Sequence, residues 1–258
     1  MNGLMLRKLL RTRGSKRMTE LLHMRDNYLQ EFDAKVLAKG EDYVVLDRTA
    51  FYPEGGGQSS DIGKLSDDSR FVEVKEVRKI DGGTRHILKG RPFEIGTKIH
   101  GIIDWDYRYE CMRFHTAQHV LSRYLQLNYN VETVGNNISP GESRADYSPL
   151  ESFDEDMKRE VESGVNEILH QNLPVDIKFM PRAEAIRFLE NRGYQTRYLE
   201  MVPKSVKEFR VLVIGDYDAA SCAGTHVKNT REIGGIKIGK SKNVGAGKRR
   251  IYFRLVNP

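Results

Sequence analysis

Four residues of the 258-residue chain carry the donor atoms of a metal site of intermediate softness. His115 and His119 stand four apart in HTAQH, and Cys222 and His226 stand four apart in CAGTH. On a helix that spacing puts two side chains one turn apart on one face, so both imidazoles can reach one ion at about 2.0–2.1 Å. Gly224 permits the tight turn that would aim the second pair inward. One thiolate with three imidazoles suits zinc, at one ion per chain. A metalloprotease motif would need Glu after His115, and Thr116 stands there instead. Cys111, one turn before His115 on the same face, is a competing thiol whose plainer assignment is a small buried core residue. Four protein ligands fit a closed structural site, whereas a catalytic zinc keeps one position open, and spacing alone leaves both readings standing.

The elements that must position these residues follow from periodicity. Between about residues 30 and 105, AKVLAKG, EDYVVLD, FVEVKEV and IHGIIDW alternate apolar and polar positions between Gly, Asp and Ser clusters. They predict a small antiparallel β-barrel or sandwich. A helical period takes over at DYRYECMRFHTAQHVLSRYLQL and runs without Gly or Pro to about residue 127, placing a domain boundary near Asp106. Ser152 and Glu155 form an S-x-x-E capping pattern ahead of a second helix, on which Met157, Val161, Val165, Ile168 and Leu169 share a face before Pro174. PRAEAIRFLENRG predicts a third, from Pro181 to Gly193. VDIKFM, FRVLVIGD and RRIYFRLV read as strands, so the second half is α+β with helices on a mainly antiparallel sheet.

Composition narrows the function classes. Only Cys111 and Cys222 are present, and no apolar run is long enough to span a membrane, so the expected setting is intracellular with both thiols reduced. The formal charge is +6, from 42 Lys and Arg against 36 Asp and Glu. Arg7, Lys8, Arg11, Arg13, Lys16 and Arg17 account for all of that excess, because residues 1–17 hold no acid. This segment lacks the long apolar region of a secretory signal and reads as a disordered extension, or as an upstream start ahead of Met18, with a phosphate-binding arm as the minority view. Gly234 to Ser241, GGIKIGKS, satisfies the phosphate-loop pattern, yet IKI alternates like a strand and no helix follows, so ATP binding is rejected.

HTAQHVLS, RADYS and CAGTHVKNTREIGGIKI followed by GAGKRRIYF resemble the editing domain of alanyl-tRNA synthetases, which is related to that of threonyl-tRNA synthetases. RTAFYPEGGGQSSDIG resembles the glycine-rich element of the β-domain that precedes it. The match runs from about residue 24 to 258 and leaves no room for the class II aminoacylation core, so the chain is most similar to the free-standing alanyl-tRNA editing proteins, AlaX, of medium length. The resemblance implies a basic extension over 1–23, a β-barrel-like domain over 24–105 and a zinc-containing editing domain over 106–258. It also implies zinc ligands at His115, His119, Cys222 and His226, with Ala223 standing where synthetases commonly have glycine.

The activity it implies is hydrolysis, in trans and in the cytoplasm, of tRNA(Ala) mischarged with serine or glycine, sparing alanyl-tRNA(Ala). A pocket shaped for alanine admits serine, whereas a second site that must bond the serine hydroxyl can reject alanine by about 10⁴–10⁵. Thr133 is the hydroxyl reader by family position, set against an ordinary strand residue; Arg144 and Asp146 are supporting residues near the site, set against a surface ion pair. Gly55, Gly56, Gly57 and Gln58 would approach the RNA backbone, if they are more than a hairpin turn. Lys240, Lys242, Lys248, Arg249 and Arg250 belong to a basic run from Lys228 to Arg250, interrupted only by Glu232, that would meet phosphates or be a solvated face. Two other classes compete with the enzyme reading. One is a non-catalytic, zinc-stabilised tRNA-binding module; the other is a metal-dependent hydrolase of a small acyl ester.

Overall fold

In the computed structural model the described residues are 19–256, apart from 195, 197, 198, 200, 201 and 205. The basic segment of residues 1–17 lies outside them. The first half is a closed antiparallel barrel of β1 (Glu31–Lys39), β2 (Tyr43–Leu46), β3 (Gly63–Ser66), β4 (Phe71–Ile80), β5 (Gly83–Lys89) and β6 (Lys98–Ile103), paired in the order β1-β2-β5-β4-β3-β6 and back to β1. Alternation makes it close. On β1, Phe32, Ala34 and Val36 are buried while Glu31, Asp33 and Lys35 are exposed, and the inward set joins Val44, Leu46, Leu65, Val74, Val77 and Leu88 in one core.

The second half is α+β, as the spacing predicts. It contains α1 (Trp105–Tyr129), β7 (Glu132–Asn137), β8 (Ser143–Ser148), α2 (Glu155–Leu169), β9 (Val175–Pro181), α3 (Arg182–Glu190), β10 (Glu208–Ile214), β11 (Asp218–Ser221), β12 (Gly235–Gly245) and β13 (Lys248–Val256). The strands form a four-stranded antiparallel sheet, β12-β13-β8-β7, and a three-stranded one, β9-β10-β11. Asp104 caps α1 by accepting the Tyr107 N–H at 3.1 Å, and Asn130 ends it in the left-handed conformation at φ 55°. The cap of α2 is Asp154, whose carboxylate accepts the Met157 N–H at 2.9 Å. The S-x-x-E pattern at Ser152 is therefore displaced by an acid immediately ahead of the first turn. Val161, Val165 and Leu169 form the buried stripe of α2. The segment Gly234–Ser241 lies largely in β12, with no helix after it, in agreement with the rejection of a phosphate loop.

A buried ion pair joins the halves. Arg108 on α1 and Asp61, in the connection that leaves the barrel after Ala50, are both essentially inaccessible. Arg108 Nε donates to Asp61 Oδ1 and Oδ2 at 2.8 and 2.9 Å, Nη1 to the Asn27 carbonyl at 3.0 Å and Nη2 to the Ala50 carbonyl at 2.7 Å. With each of the three guanidinium nitrogens donating to a buried acceptor, the desolvated charges are tolerated. The same connection lays Gly57 and Ser59 against Ile138: Ile138 N donates to Gly57 O at 2.7 Å and Ser59 N to Ile138 O at 2.9 Å. Gly57 sits at φ +80°, and a Cβ there would collide with Asn136, so both conformation and space require glycine.

His86, buried in the barrel wall beside Thr49 Oγ1 at 2.8 Å, is driven by burial from 6.5 to about 4. A lowered histidine keeps its full contribution to stability above the unfolded value and loses it as acid protonates the unfolded chain first. Unfolding free energy is therefore expected to fall between pH 6.5 and about 4, and His86→Gln to remove about one proton, or about 1.4 kcal/mol per pH unit, from that slope. Denaturant titrations across the window check this; an unchanged slope in the variant would contradict it.

Candidate metal centre

The two halves of the ligand set meet because α1 runs past the loop that follows β11. The ligand atoms of His115, His119, Cys222 and His226 all lie within 4.8 Å of one another. Cys222 Sγ is 3.6 Å from His115 Nε2 and 3.3 Å from His226 Nε2. A tetrahedral ion with ordinary Zn–S and Zn–N bonds separates a sulfur and a nitrogen ligand by about 3.6 Å, so the donor set fits zinc in type and in spacing. Gly224 is obligatory here, since a Cβ would sit 2.1 Å from His115 Cε1. Ala223, the departure from the family pattern, lines the adjoining cleft and displaces no ligand. Cys111 is fully buried outside the cluster, and burial pushes its thiol well above the ordinary value.

Each histidine is oriented through its Nδ1. His115 Nδ1 donates to Gln58 Oε1 at 2.8 Å, because an amide oxygen can only accept. His119 Nδ1 faces the Asp218 carboxylate at 3.3 Å. Thr116 Oγ1 gives its proton to the Met112 carbonyl at 2.9 Å and so accepts from His226 Nδ1 at 3.1 Å. All three rings therefore keep the Nε2 lone pair for an ion. Gln58 also accepts from Thr225 N at 3.0 Å and donates to Thr225 Oγ1 at 2.8 Å, which fixes the CAGTH loop. Arg210, buried on β10, donates to the Cys222 carbonyl at 2.5 Å, and Asn27 Oδ1 accepts from His226 N at 2.8 Å.

Electrostatics suit a cation. Burial opposes a thiolate at Cys222, but the His115 and His226 rings and hydrogen bonds from His115 and His119 outweigh it and hold the thiol well below its ordinary value. Burial also opposes charge on His119, yet the Asp218 carboxylate and the Cys222 sulfur raise it to about 10. Burial above all lowers His226 to about 3.

Beside the cluster opens a cleft of about 420 Å³. One face of α1 lines it with His115, Gln118, His119, Ser122, Arg123 and Gln126, facing Thr133, Gly135 and Asn136 of β7 and Asp218 to Cys222. Thr133, the proposed reader, thus shares a cleft with His115, His119 and Cys222; its Oγ1 donates to Ser122 Oγ at 2.7 Å. Gly56 and Tyr52 stand at the barrel side of this cleft, and the Tyr52 hydroxyl donates to the Gly55 carbonyl at 2.6 Å. Gln58, expected against RNA, is fully buried with both ends of its amide engaged by the metal loop and His115. The glycine-rich turn docks inward on residue 138, a contact no local pattern announces.

Arg144 and Asp146 do not line the cleft. Strand alternation puts them on the face of β8 opposite Tyr147, whose hydroxyl lies 3.2 Å from Ser122 Oγ. Asp146 receives Arg250 Nε and Nη2 at 2.7 and 2.8 Å and lies 3.5 Å from Arg144, and the Arg250 partnership holds its carboxyl below the usual range. Lys242, Arg250 and Asp146 are in register across three strands. Lys240 Nζ lies over the Tyr252 ring at 4.6 Å, Arg249 Nη2 donates to the Glu151 carbonyl at 2.6 Å, and Lys248 is exposed. Sequence reasoning missed Asp218, Asn27 and Arg210. It also missed Gln118 and Ser122, which the helical spacing from His115 could have found.

Elemental analysis of the native protein is expected to give one zinc per chain, and Cys222→Ala to lose most of it. Zinc should stay bound at neutral pH and leave on acidification, because thiolate and neutral imidazoles are the binding forms. Full zinc occupancy in folded Cys222→Ala would contradict the assignment.

Residues 209–252 match the family described as threonyl and alanyl tRNA synthetase second additional domain, and residues 8–107 match class II (A) tRNA synthetases. The alanyl-tRNA editing protein AlaX-M of Methanosarcina barkeri is 42% identical over 93% of this chain and 100% of its own length. That of Methanosarcina acetivorans is 41% identical over the same shares. The alanine–tRNA ligase of Pyrococcus furiosus is 38% identical over 91% of this chain but only 26% of the ligase. No helix among the described residues is long and apolar enough to cross a membrane. A ligand cluster housed in this fold, together with near-full-length similarity to both Methanosarcina proteins, leads to one conclusion: the chain belongs to the alanyl-tRNA editing family AlaX-M.

Proposed function

We propose that the protein is a zinc-dependent, trans-acting aminoacyl-tRNA deacylase, a carboxylic ester hydrolase of the cytoplasm. Its substrate is seryl-tRNA(Ala), with glycyl-tRNA(Ala) as a second, and it spares alanyl-tRNA(Ala). One observation carries the reading: three residues of the His/Cys cluster and the hydroxyl of Thr133 line a single cleft. Zinc, when bound, would supply Lewis acidity toward the ester carbonyl or a water.

The chain's own residues do the rest. Gln58, Asp218 and Thr116 hold the three Nδ1 atoms, so the ligand lone pairs need no reorganisation when the ion binds. Thr133 places a hydroxyl on the wall of the cleft, which a seryl side chain can bond and an alanyl methyl group cannot. Gly55, Gly56 and Gly57 let the terminal nucleotides approach the mouth of the cleft, and Lys240, Lys242, Lys248, Arg249 and Arg250 would contact phosphates farther along the acceptor arm. The Arg144–Asp146–Arg250 group supports a different task from acid–base chemistry: it ties β8 to β13, the strand that carries Lys248, Arg249 and Arg250.

The four-ligand set favours a second reading, because it completes a tetrahedron without substrate. In that reading the protein is a zinc-stabilised tRNA-binding module with no activity of its own.

Deacylation of seryl-tRNA(Ala) and alanyl-tRNA(Ala) by the zinc-loaded protein separates the two. The expected result is rapid loss of serine with alanine spared, abolished in a folded Cys222→Ala variant. Thr133→Val should lower the serine-to-alanine ratio about tenfold, the value of one hydrogen bond. Absence of hydrolysis, with unfolding of Cys222→Ala on metal loss, would replace the enzyme with the module.

A further inference from the structure

Two long cationic side chains, Lys79 and Arg123, are among the residues that line the cleft. Arg123 is already engaged: its Nη1 donates to Gln126 Oε1 at 2.8 Å and to the Gly193 carbonyl at 3.4 Å, and its guanidinium stands 4.7 Å from the centre of the Tyr194 ring. Lys79, exposed near the end of β4, has no such tie and pairs with no carboxylate among the described residues. Its ammonium lies against Gly55, where a Cβ would sit 2.7 Å from Nζ, so the glycine leaves the space that the charge occupies. Gly56 lines the same cleft at φ +58°, and its N–H donates to no group among the described residues. The turn is held from its other side, since the Gly55 carbonyl accepts from the Tyr52 hydroxyl at 2.6 Å and from Gln58 N at 3.0 Å. A free ammonium and a free backbone N–H thus stand on the barrel side of the cleft that His115, His119 and Cys222 also line. An exposed lysine alone would be a solvated charge; beside an unmet N–H in a glycine turn it completes a donor set of the kind that phosphate oxygens take.

We infer that Lys79 and the Gly56 N–H form a phosphate subsite, which binds the phosphodiester on the 5′ side of the terminal nucleotide and so sets the aminoacyl ester against the ligand cluster. That phosphodiester is the anion nearest to the ester in any aminoacyl-tRNA, one ribose away from the bond that breaks. Every tRNA carries it. The subsite therefore adds affinity without telling serine from alanine, and that choice stays with the groups that meet the amino acid. Lys79 differs in this from Lys240, Lys242, Lys248, Arg249 and Arg250, which are not among the residues lining the cleft. The inference rests on the deacylase reading.

The test measures kcat and KM of zinc-loaded wild type, Lys79→Met, Lys79→Gln and Lys79→Arg on two forms of seryl-tRNA(Ala), one natural and one with an uncharged methylphosphonate as its last internucleotide linkage. Zinc content, melting temperature and hydrolysis of alanyl-tRNA(Ala) are read in parallel. Lys79→Met keeps the aliphatic stem over Gly55 and is expected to raise KM for the natural substrate about tenfold, at the low end for a hydrogen bond to a charged group. Its kcat should change less than about twofold, because the anchor acts on ground state and transition state alike. Lys79→Arg should restore most of the affinity, and the serine-to-alanine ratio of kcat/KM should stay as in wild type throughout. The methylphosphonate should raise the wild-type KM by a similar factor, and Lys79→Met should then add less than about twofold, because both changes remove one interaction. Lys79→Gln stands in if Lys79→Met folds poorly. An unchanged KM in the folded, zinc-replete variants, or losses from variant and methylphosphonate that multiply, would overturn the inference. Those results leave the deacylase reading intact so long as the wild type hydrolyses natural seryl-tRNA(Ala); a wild type that does not would sink both.

Discussion

A single buried amide holds the ligand centre to the barrel. Gln58 Oε1 accepts from His115 Nδ1 and from Thr225 N, while its Nε2 donates to Thr225 Oγ1. One side chain thus sets the rotation of His115 on the helix and the path of the loop that bears Cys222 and His226. Because its surroundings are dry, an unmet amide there would cost about 1–3 kcal/mol, which ties the three segments to one geometry. Gly57 and Gly224 are the steric conditions for it: the first lets the turn lie against Asn136, the second leaves room for the His115 ring. The barrel is therefore a structural part of the metal centre, and the Arg108–Asp61 pair keeps the two registered.

From this constraint the cleft follows. With α1 fixed by Gln58 on one side and Arg108 on the other, its face from His115 to Gln126 becomes a wall, and β7 supplies the opposite wall. The ligand rings and the hydroxyl groups are then presented to one space by rigid elements. A site held this way discriminates through fixed donors and acceptors rather than through loop closure. The basic hairpin of β12 and β13 forms the side of the sheet away from β7, and so extends the molecule's reach without crowding the cleft.

Much of this was legible in the chain. The paired four-residue spacings picked out all four residues of the cluster, because helix periodicity and the chemistry of thiolate and imidazole are local properties. Alternation in EFDAKVLAK and the helical period of HTAQHVLSRYL identified barrel and helix for the same reason. What escaped depends on contacts between distant segments. Gln58 reads as an exposed partner of glycines until the docking of its turn on Ile138 is known. Asp218 carries no spacing signal, since it reaches His119 only after β11 folds back beside α1. Arg144 and Asp146 sat in a motif near the site, but strand alternation turned them to the far face, where Arg250 claims the carboxylate.

The most direct test of a metal centre shared between barrel and editing fold is the zinc affinity of Gln58→Leu against wild type, by competition with a chelating dye, with the melting curve of each metal-loaded protein. The account predicts zinc binding about 10–100-fold weaker in a protein that still folds, as for loss of a hydrogen bond that orients a ligand. Zinc binding as tight as in wild type would contradict it and would leave the barrel as a neighbour of the site rather than a part of it.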